Sequence, residues 1–512
     1  MVALKLTFEI SCVILLAMFK NNTKKSVSTK EDEKCRAEGR CGKGYTQSGN
    51  RVLFASFDVV PAPKGASTHI LQSTKALAAH IGPVTFIGPG APGLAGQETL
   101  AAGVVAERVP LPQGRHFLKR VEAYQLYLRD WLAEHGSSFS HIHFRDIWSG
   151  LPILDFLDEK QRQAAQALKE DENIHAARMR DDACDGDGDG AGAGAGAGAY
   201  GEKAPEADEY QRPQVVMEVN GLPSFELGYH YPAVRENKGF TRKLRAQECS
   251  CLLAADRVLT VSPTNARHIE SMGILPERVT VIPNGVDVER FAPPEGARPG
   301  TASAGTGVGA AAGPSVKREV PRLLYVGTLA PWQGVTTLLH ALKKVVRERP
   351  VEVVFAGRGR KVWLKDALAL ANELKVLPYV DFRGAVAPEA VPALVAGADL
   401  CLAPLERTRR NTRQGCCPIK ILEYMACARP FVAADLPVVR ALLPEGLDCS
   451  EFLVLPGKPG HLAARILALL EPSEAHQEEI CKLAWALRDY VVEQRTWEHS
   501  NRALVEFYGK LG

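Results

Sequence analysis

Residues 322–357, RLLYVGTLAPWQGVTTLLHALKKVVRERPVEVVFAG, decide the fold. Two short apolar runs, RLLYVG and VEVVFAG, flank a stretch of helical length, and each run ends in glycine. Continuous Val, Ile and Leu runs of this kind are typical of parallel strands that helices cover on both faces. The segment therefore predicts a strand–helix–strand unit of a doubly wound α/β domain.

The same alternation of apolar runs and helical stretches extends over most of the chain in two series. Because each series is long enough for a complete sheet, we predict an α/β protein with two Rossmann-like, doubly wound domains. The predicted strands of the first series lie at 51–57, 83–88, 140–145, 214–220, 257–262 and 278–285, and those of the second at 322–327, 351–357, 380–385, 400–404, 430–435 and 451–457.

The boundaries follow from changes in composition. We place the first domain at 51–292 and the second at 322–490, with a largely helical tail at 491–512. Residues 293–321 are rich in Gly, Ala and Pro, which predicts a linker between the domains. The Gly/Ala-rich, acidic tract at 183–209 has almost nothing to bury and is predicted to be a disordered insertion.

Residues 1–50 precede the alternating pattern and are predicted to be a disordered or targeting leader. Their apolar run at 10–19 is shorter than the roughly 20 residues that a membrane-spanning helix needs. It could serve as the apolar part of a signal peptide, but no small-x-small cleavage site follows it. We therefore predict a cytoplasmic protein and leave open an organellar or membrane-associated placement through the leader.

Charge and cysteine content exclude several classes of protein. The 512 residues contain 62 Lys and Arg against 59 Asp and Glu, a net charge of +3, which argues against a dedicated nucleic-acid binder. Twelve cysteines are too dilute for a disulfide scaffold, and without a CxxC pair they do not predict a zinc site. The acidic repeat Asp185, Asp187 and Asp189 resembles the opening of a calcium loop, but Gly196 stands at the twelfth position.

Ligands of open parallel sheets bind beyond the carboxyl ends of the strands, often against helix N-termini. Gly65 follows the first strand of the first domain and would let a ligand approach the backbone. In the second domain Gly327 and Gly357 end two strands. Arg358, Arg360 and Lys361 follow the second of these glycines and supply positive charge for a phosphate or a solvated surface.

Residues 411–437, NTRQGCCPIKILEYMACARPFVAADLP, hold the strongest candidate site. Pro418 suits the first turn of a helix whose free N–H groups would face a diphosphate, and Lys420 would reinforce them. Glu423 lies on an otherwise apolar helix, where a carboxylate is costly unless it accepts hydrogen bonds. A ribose diol would supply two donors; a salt bridge to Arg429 or Arg440 is the alternative.

Five motifs in this order resemble the family 4 retaining glycosyltransferases of the GT-B fold. They are AADRVLTVSPTNARHI (254–269), RVTVIPNGVDVERFAP (278–293), YVGTLAPWQGVTTLLHAL (325–342), GADLCLAP (397–404) and PIKILEYMACARPFVAAD (418–435). The resemblance implies that the two domains face each other across a cleft. It also implies that Thr496-Trp497 begins a C-terminal helix that crosses back onto the first domain.

The resemblance further implies transfer of a sugar from a nucleotide diphosphate donor with retention of configuration, and without a metal or cofactor. The acceptor would be a glycan, a lipid or a small molecule, with peripheral membrane contact left open and nucleic acid excluded. Lys420 would stabilise the leaving phosphate. Asn220 stands where many members carry a catalytic His, and His143 and Arg145 are the nearby candidates. Gly415 stands where the paired-carboxylate motif of the family has its first Glu.

The residues predicted to contact the donor lie after the strands and before the helix of the 411–437 segment. They include Thr328 and Gln333, where many members of the family have a basic pair. The full set is Gly65, Gly327, Thr328, Gln333, Gly357, Arg358, Arg360, Lys361, Ala385, Val386, Gly415, Cys416, Cys417, Pro418, Ile419 and Glu423. A noncatalytic nucleotide-sugar binder or scaffold is the alternative function. A nicotinamide oxidoreductase is disfavoured, because no GxGxxG motif opens a strand–helix unit.

Overall fold

The computed structural model describes residues 49–114, 116–182, 211–294 and 320–511. The predicted leader, insertion and linker therefore lie wholly or almost wholly outside the described residues. The described residues form two α/β domains, each built on its own mainly parallel sheet. The prediction of two Rossmann-like domains is confirmed.

The first sheet has eight strands. They are β1 (Val52–Ala55), β2 (Val84–Pro89), β3 (Gln97–Ala101), β4 (Val104–Val109), β5 (His141–Phe144), β6 (Gln214–Val219), β7 (Arg257–Thr260) and β8 (Val279–Val281). Their order is β3-β4-β2-β1-β5-β6-β7-β8, and all neighbours are parallel except β3 and β4. This hairpin at one edge is missing from the strands predicted from the sequence, because its partly exposed residues form no continuous apolar run.

The second sheet has six parallel strands. They are β9 (Arg322–Val326), β10 (Glu352–Ala356), β11 (Val380–Gly384), β12 (Leu400–Ala403), β13 (Phe431–Ala434) and β14 (Leu453–Val454). Their order, β11-β10-β9-β12-β13-β14, is that of a dinucleotide-binding sheet, in which the strand order reverses beside the first strand. Ligands of such sheets bind at this reversal, which here lies at the carboxyl ends of β9 and β12.

Helices cover both sheets. In the first domain they are α1 (Gly65–His80), α2 (Phe117–His135), α3 (Ile147–Asp182), α4 (Pro223–His230), α5 (Pro232–Glu236), α6 (Lys238–Ala254) and α7 (Pro263–Glu270). In the second domain they are α8 (Val335–Glu348), α9 (Lys361–Glu373), α10 (Val391–Ala396), α11 (Ile419–Ala426), α12 (Pro437–Arg440), α13 (Pro459–Leu469) and α14 (Glu474–Gln494), followed by α15 (Trp497–Gly509). None of the helices in the described ranges is both long and apolar enough to cross a membrane.

The C-terminal helix crosses back to the first domain, as predicted. In α15, Leu504, Phe507 and Tyr508 are buried in the core of the first domain. In α14, by contrast, Val491 is buried in the core of the second domain. The change of domain therefore falls between α14 and α15, and the boundary predicted at residues 490 and 491 lies inside a continuous helix.

Residues 284–286 of the first domain run beside residues 495–497, where the chain crosses back to that domain. The backbone N–H of Val286 donates to the Arg495 carbonyl at 2.9 Å, and Val286 forms a β-bridge with Thr496. A Cβ atom on Gly285 would lie 2.3 Å from the Thr496 carbonyl carbon. The turn at Asn284-Gly285 thus needs glycine, because the start of the crossing helix packs directly against its backbone.

Candidate functional site

The candidate donor site begins at two glycines that end β9 and β10. Gly327 has φ of +129° and Gly357 has φ of +152°, a backbone conformation that side-chain-bearing residues rarely adopt. A Cβ atom on Gly357 would lie 1.9 Å from the Gly327 carbonyl oxygen. The two strand ends therefore approach each other closely, and they leave backbone rather than side chains at this edge of the sheet.

Lys420, in the first turn of α11, reaches over this backbone. Its Nζ donates a hydrogen bond to Oε1 of Gln333 at 2.8 Å and lies 4.3 Å from the centroid of the Tyr325 ring. A Cβ atom on Gly327 would lie 2.9 Å from the same Nζ, and the positive φ of Gly327 disfavours any side chain at this position. Burial lowers the pKa of Lys420 to about 7, although nearby Glu423 opposes this shift.

Glu423 lies one turn further along α11 and is partly buried. Burial raises its pKa to about 7, while the charges of Lys420 and Arg290 pull the pKa down. Within the described ranges its carboxylate has no hydrogen bond and no ion pair within 4 Å. The salt bridge that the sequence left open as an alternative is not formed within those ranges. Arg440 pairs with Asp435 at 2.8 Å instead, and Arg429 forms no ion pair with Glu423. Within those ranges the Glu423 carboxylate therefore has hydrogen-bonding capacity that the protein itself does not use.

The loop of residues 414–418, which we call the Gly415 loop, precedes α11 and packs against the first domain. Gly415 has φ of +84° and ψ of 166°, a combination that is almost confined to glycine. A Cβ atom there would lie 2.7 Å from the backbone nitrogen of Asn265 and 2.8 Å from Oγ of Ser262. A glutamate of the paired-carboxylate motif would not fit this packing, which gives a physical reason for glycine at 415.

Two buried asparagines of the first domain hold the two ends of the Gly415 loop. Nδ2 of Asn265 donates to the Gln414 carbonyl at 2.5 Å, and Nδ2 of Asn284 donates to the Cys417 carbonyl at 3.4 Å. Cys417 is buried, and burial raises its thiol pKa to about 12. The half-buried Cys416 thiol lies against the Arg410 guanidinium, whose charge only partly offsets the rise in its pKa that burial causes.

The remaining predicted donor contacts are more dispersed. Gly65 begins α1, and a Cβ atom on it would lie 3.2 Å from Cδ1 of Ile419, so these two meet across the domains. The Arg360 guanidinium lies 5.3 Å from the Tyr231 ring centroid and 5.9 Å from that of Trp363. The other predicted contacts lie around the carboxyl edge of the second sheet, exposed or half-buried: Thr328, Arg358, Lys361, Ala385, Val386 and Pro418.

His143 and Asn220 belong to a separate polar cluster around Glu218 in the first domain. His143 is fully buried, donates through Nε2 to Glu218 at 3.1 Å and bonds through Nδ1 to the Tyr508 hydroxyl at 2.8 Å. The Asn220 side chain donates to the same carboxylate. Because no part of His143 is exposed, the side chain has no direct access to a substrate.

Two further groups contact the Glu218 carboxylate: Nε2 of His69 at 2.9 Å and Nε of Arg145 at 3.0 Å. Burial alone would raise the pKa of Glu218, but the Arg145 charge and the bonds from the histidines hold it well below its usual range. Glu218 and His69 are not among the site residues predicted from the sequence. A signal was present, since Glu218 is the single charged residue in the apolar strand QVVMEV.

A second set of contacts joins the domains on the other side of the Gly415 loop. Arg410 forms an ion pair with Glu226 at 2.9 Å, and Gln414 donates to the same carboxylate at 3.1 Å. The rings of His230 and Trp332 lie 5.6 Å apart across the domains. These contacts join segments more than 80 residues apart in the chain, so no local sequence pattern predicts them. Within the described residues, no group of three or more His, Cys, Asp or Glu is arranged to hold a metal.

Comparisons with known proteins agree with this architecture. Residues 320–472 match the family model described as "Glycosyl transferases group 1", and residues 207–290 match "Glycosyltransferase Family 4". D-inositol 3-phosphate glycosyltransferase of Geodermatophilus obscurus is 27% identical over 263 residues, which are 50% of this chain and 52% of the relative. MMP alpha-(1->4)-mannosyltransferase of Mycolicibacterium hassiacum is 25% identical over 49% of this chain and 54% of the relative. The chain thus spans about half the length of these curated relatives.

Solved structures are similar to this chain in fold over about nine-tenths of its length. Sucrose-phosphate synthase from Thermosynechococcus elongatus has a TM-score of 0.64 at 16% identity, covering 90% of this chain and 99% of that one. Anabaena HepE in complex with UDP and glucose has a TM-score of 0.57 at 15% identity, covering 90% and 100%. The two family models match in the predicted order, and together with the two-domain architecture they support a family 4 glycosyltransferase of the GT-B fold.

Proposed function

We propose that this protein transfers a sugar from a nucleotide diphosphate donor to a hydroxyl group of an acceptor, with retention of the anomeric configuration. One observation carries the proposal: α11 presents a partly buried ammonium, Lys420, and a partly buried carboxylate without a hydrogen bond in the described ranges, Glu423, at the strand-order reversal of the second sheet. A diphosphate and a ribose diol are complementary to this pair, since one supplies negative charge and the other supplies two hydrogen-bond donors.

Each group has a defined task. Lys420 and the free N–H groups at the start of α11 bind the diphosphate and stabilise the charge that develops as the sugar leaves. The ionised Glu423 accepts hydrogen bonds from the ribose hydroxyls. Gly327 and Gly357 carry no side chains, so the donor can approach the backbone at the two strand ends.

The transfer itself follows a front-face route. The bond between the anomeric carbon and the phosphate oxygen breaks, the acceptor oxygen bonds to the same face of that carbon, and the leaving diphosphate takes the acceptor proton. Neutral Thr328 and Gln333 stand where many family members carry basic residues, so Lys420 supplies the positive charge here. The enzyme then acts mainly by positioning both substrates and stabilising the departing charge.

A screen of nucleotide sugars tests the proposal. Purified protein is incubated with UDP- and ADP-linked hexoses and a panel of acceptors, and release of the nucleoside diphosphate is measured with and without EDTA. We expect turnover with at least one donor, unchanged by EDTA, because positive side chains and helix N–H groups replace a metal. Loss of turnover on chelation would contradict the metal-independent mechanism. The anomeric configuration of the product tests retention.

A noncatalytic nucleotide-sugar binder is the second candidate function, favoured by the docked Gly415 where the family motif has a carboxylate. Both candidates expect binding of a nucleoside diphosphate. They differ in turnover, so calorimetric binding of UDP or ADP without nucleotide release from any donor would favour the binder. Turnover above that of a Lys420→Ala variant would exclude it.

A further inference from the structure

We infer that His69 is a positioning residue that must be protonated to hold the Gly415 loop against the first domain. His69 lies on α1, is only 9% exposed and takes no part in the proposed reaction. Its two ring nitrogens face two different partners, Asn284 and Glu218. The inference rests on the proposed function only in that the Gly415 loop is taken to bind the donor.

The orientation of Asn284 fixes the hydrogen on one ring nitrogen. The Cys417 carbonyl can only accept a hydrogen bond, so the amide nitrogen Nδ2 of Asn284 must face it, at 3.4 Å. Oδ1 of Asn284 then faces Nδ1 of His69 at 2.6 Å. Because an amide oxygen only accepts, Nδ1 of His69 carries a hydrogen.

The state of Glu218 fixes the hydrogen on the other ring nitrogen. Oε1 of Glu218 lies 2.9 Å from Nε2 of His69 and also receives a hydrogen bond from Arg145 at 3.0 Å. Arg145 and the other donors around the carboxylate keep it ionised, so it can only accept. Nε2 of His69 therefore carries a hydrogen as well, and the ring is an imidazolium.

The surrounding charges are compatible with a buried imidazolium. Glu218 faces it from β6, while Arg145 opposes it from β5 and is balanced in turn by Asp58 at 3.7 Å. His143 stays neutral, because burial lowers its pKa and its Nδ1 can accept from the Tyr508 hydroxyl. Tyr508 faces the cluster from α15, where burial raises its pKa well above the usual range, so it too remains uncharged.

A continuous hydrogen-bonded chain thus runs from Glu218 through His69 and Asn284 to the Cys417 carbonyl in the second domain. A neutral His69 can donate to only one of its two partners. Loss of the proton breaks the chain either at Glu218 or at Asn284, and the Gly415 loop loses one of the two attachments that hold its backbone carbonyls. The bond from the Gln414 side chain to Glu226 does not involve His69. The second attachment, Asn265 to Gln414, does not pass through a titratable group, because the Thr260 hydroxyl donates to Oδ1 of Asn265.

Hydrogen exchange of the full chain tests the inference without substrate. Exchange of a peptide covering residues 411–419 is measured by mass spectrometry for the wild type, His69→Gln and His80→Gln at about pH 6 and about pH 8, which bracket histidine titration. The exposed His80 lies on the same helix and is the matched control. At the lower pH we expect the wild type to exchange roughly tenfold more slowly than His69→Gln. At the higher pH the two should converge, and His80→Gln should follow the wild type throughout.

A constant ratio between the wild type and His69→Gln at both pH values would overturn the inference, because a purely structural histidine would give it. If His69→Gln does not fold, nitrogen NMR of the wild type with labelled histidine decides. Asn284→Ala then identifies the His69 signal by its shift. Two protonated ring nitrogens at about pH 6 support the imidazolium, and a single protonated nitrogen overturns it. Neither measurement needs turnover, so failure of the proposed function would be seen separately.

Discussion

Each domain places one glutamate near the carboxyl edge of its sheet, but the two carboxylates have opposite surroundings. Glu218 in the first domain receives hydrogen bonds from four side chains, and its pKa is held well below the usual range by Arg145 and its other donors despite burial. Glu423 in the second domain has none within the described ranges, and burial raises its pKa to about 7. Burial alone therefore does not distinguish a structural charge from a ligand-binding one.

Glu218 and Glu423 differ in the hydrogen-bond donors that the protein supplies to each carboxylate. A buried carboxylate that receives all its hydrogen bonds from the protein stabilises the fold. Its removal leaves the positive groups around it without a counter-charge. A carboxylate left without donors destabilises the free protein and gains most when a ligand supplies them. Glu218 and Glu423 should therefore respond to substitution in opposite ways, which the following experiments measure.

The largest effect is expected on stability, from Glu218→Ala. The change leaves the buried Arg145 guanidinium with only Asp58, at 3.7 Å, as a counter-charge, and it removes the acceptor of two buried histidines. Breaking a buried pair in this way typically costs about 3–5 kcal/mol. We expect the melting temperature to fall by roughly 10 °C, measured by differential scanning calorimetry. Glu423→Gln is the matched control and should leave the melting temperature unchanged or raise it. Equal losses in both variants would contradict the distinction between the two sites.

The next largest effect is expected on turnover, from Lys420→Ala. Removing a positioned charge at a developing phosphate typically costs about 10²–10³ in rate, so kcat should fall by that factor without loss of stability. Arg360→Ala should cost less, because that guanidinium packs between the Tyr231 and Trp363 rings. Initial rates of nucleotide release at saturating donor measure both. A fully active Lys420→Ala enzyme would place the phosphate site elsewhere.

A smaller effect is expected on donor affinity, from Glu423→Gln. The amide keeps the shape of the carboxylate but loses charge-assisted hydrogen bonds to the ribose, each worth about 1.5–3 kcal/mol. The dissociation constant for UDP or ADP, measured by calorimetry, should rise at least tenfold. Arg440→Gln serves as the control, since Arg440 pairs with Asp435. An unchanged constant in Glu423→Gln would mean that the carboxylate does not contact the nucleoside.

How much the sequence could predict differs between the fold and the site. The twelve predicted strands are all present. Most of them are continuous apolar runs buried on both faces, which leave a strong local pattern, whereas β8 and β11 are only partly buried. Lys420 and Glu423 could also be predicted from a local pattern, because each is a charged residue on an otherwise apolar helix. The Lys420–Gln333 bond joins a predicted catalytic residue to a predicted donor contact, and the role of Lys420 in catalysis stays a prediction.

The sequence could not predict the hydrogen bonds between residues that are far apart in the chain. The bonds from Asn265 to Gln414 and from Asn284 to Cys417 join residues 149 and 133 positions apart, and only the folded arrangement of two domains brings them together. The same holds for His143, whose chemistry favoured catalysis but whose strand position points it into the core. A residue type predicts what a side chain can do, whereas its hydrogen-bond partners decide what it does.

The smallest expected effect, on the pH dependence of nucleotide binding, separates the two members of the Lys420–Glu423 pair. Burial lowers the pKa of Lys420 to about 7, so its positive charge, and with it diphosphate affinity, is lost as pH rises above that value. Burial raises the pKa of Glu423 to about 7, so the ionised form that accepts from ribose is lost as pH falls below it. Affinity for UDP or ADP should therefore peak near neutrality and fall severalfold per pH unit on either side. In Glu423→Gln the acidic side should flatten while the alkaline side remains. Because both proteins bind the same nucleotide, titration of its phosphates cancels in the comparison, and identical profiles would show that Glu423 does not titrate in the site.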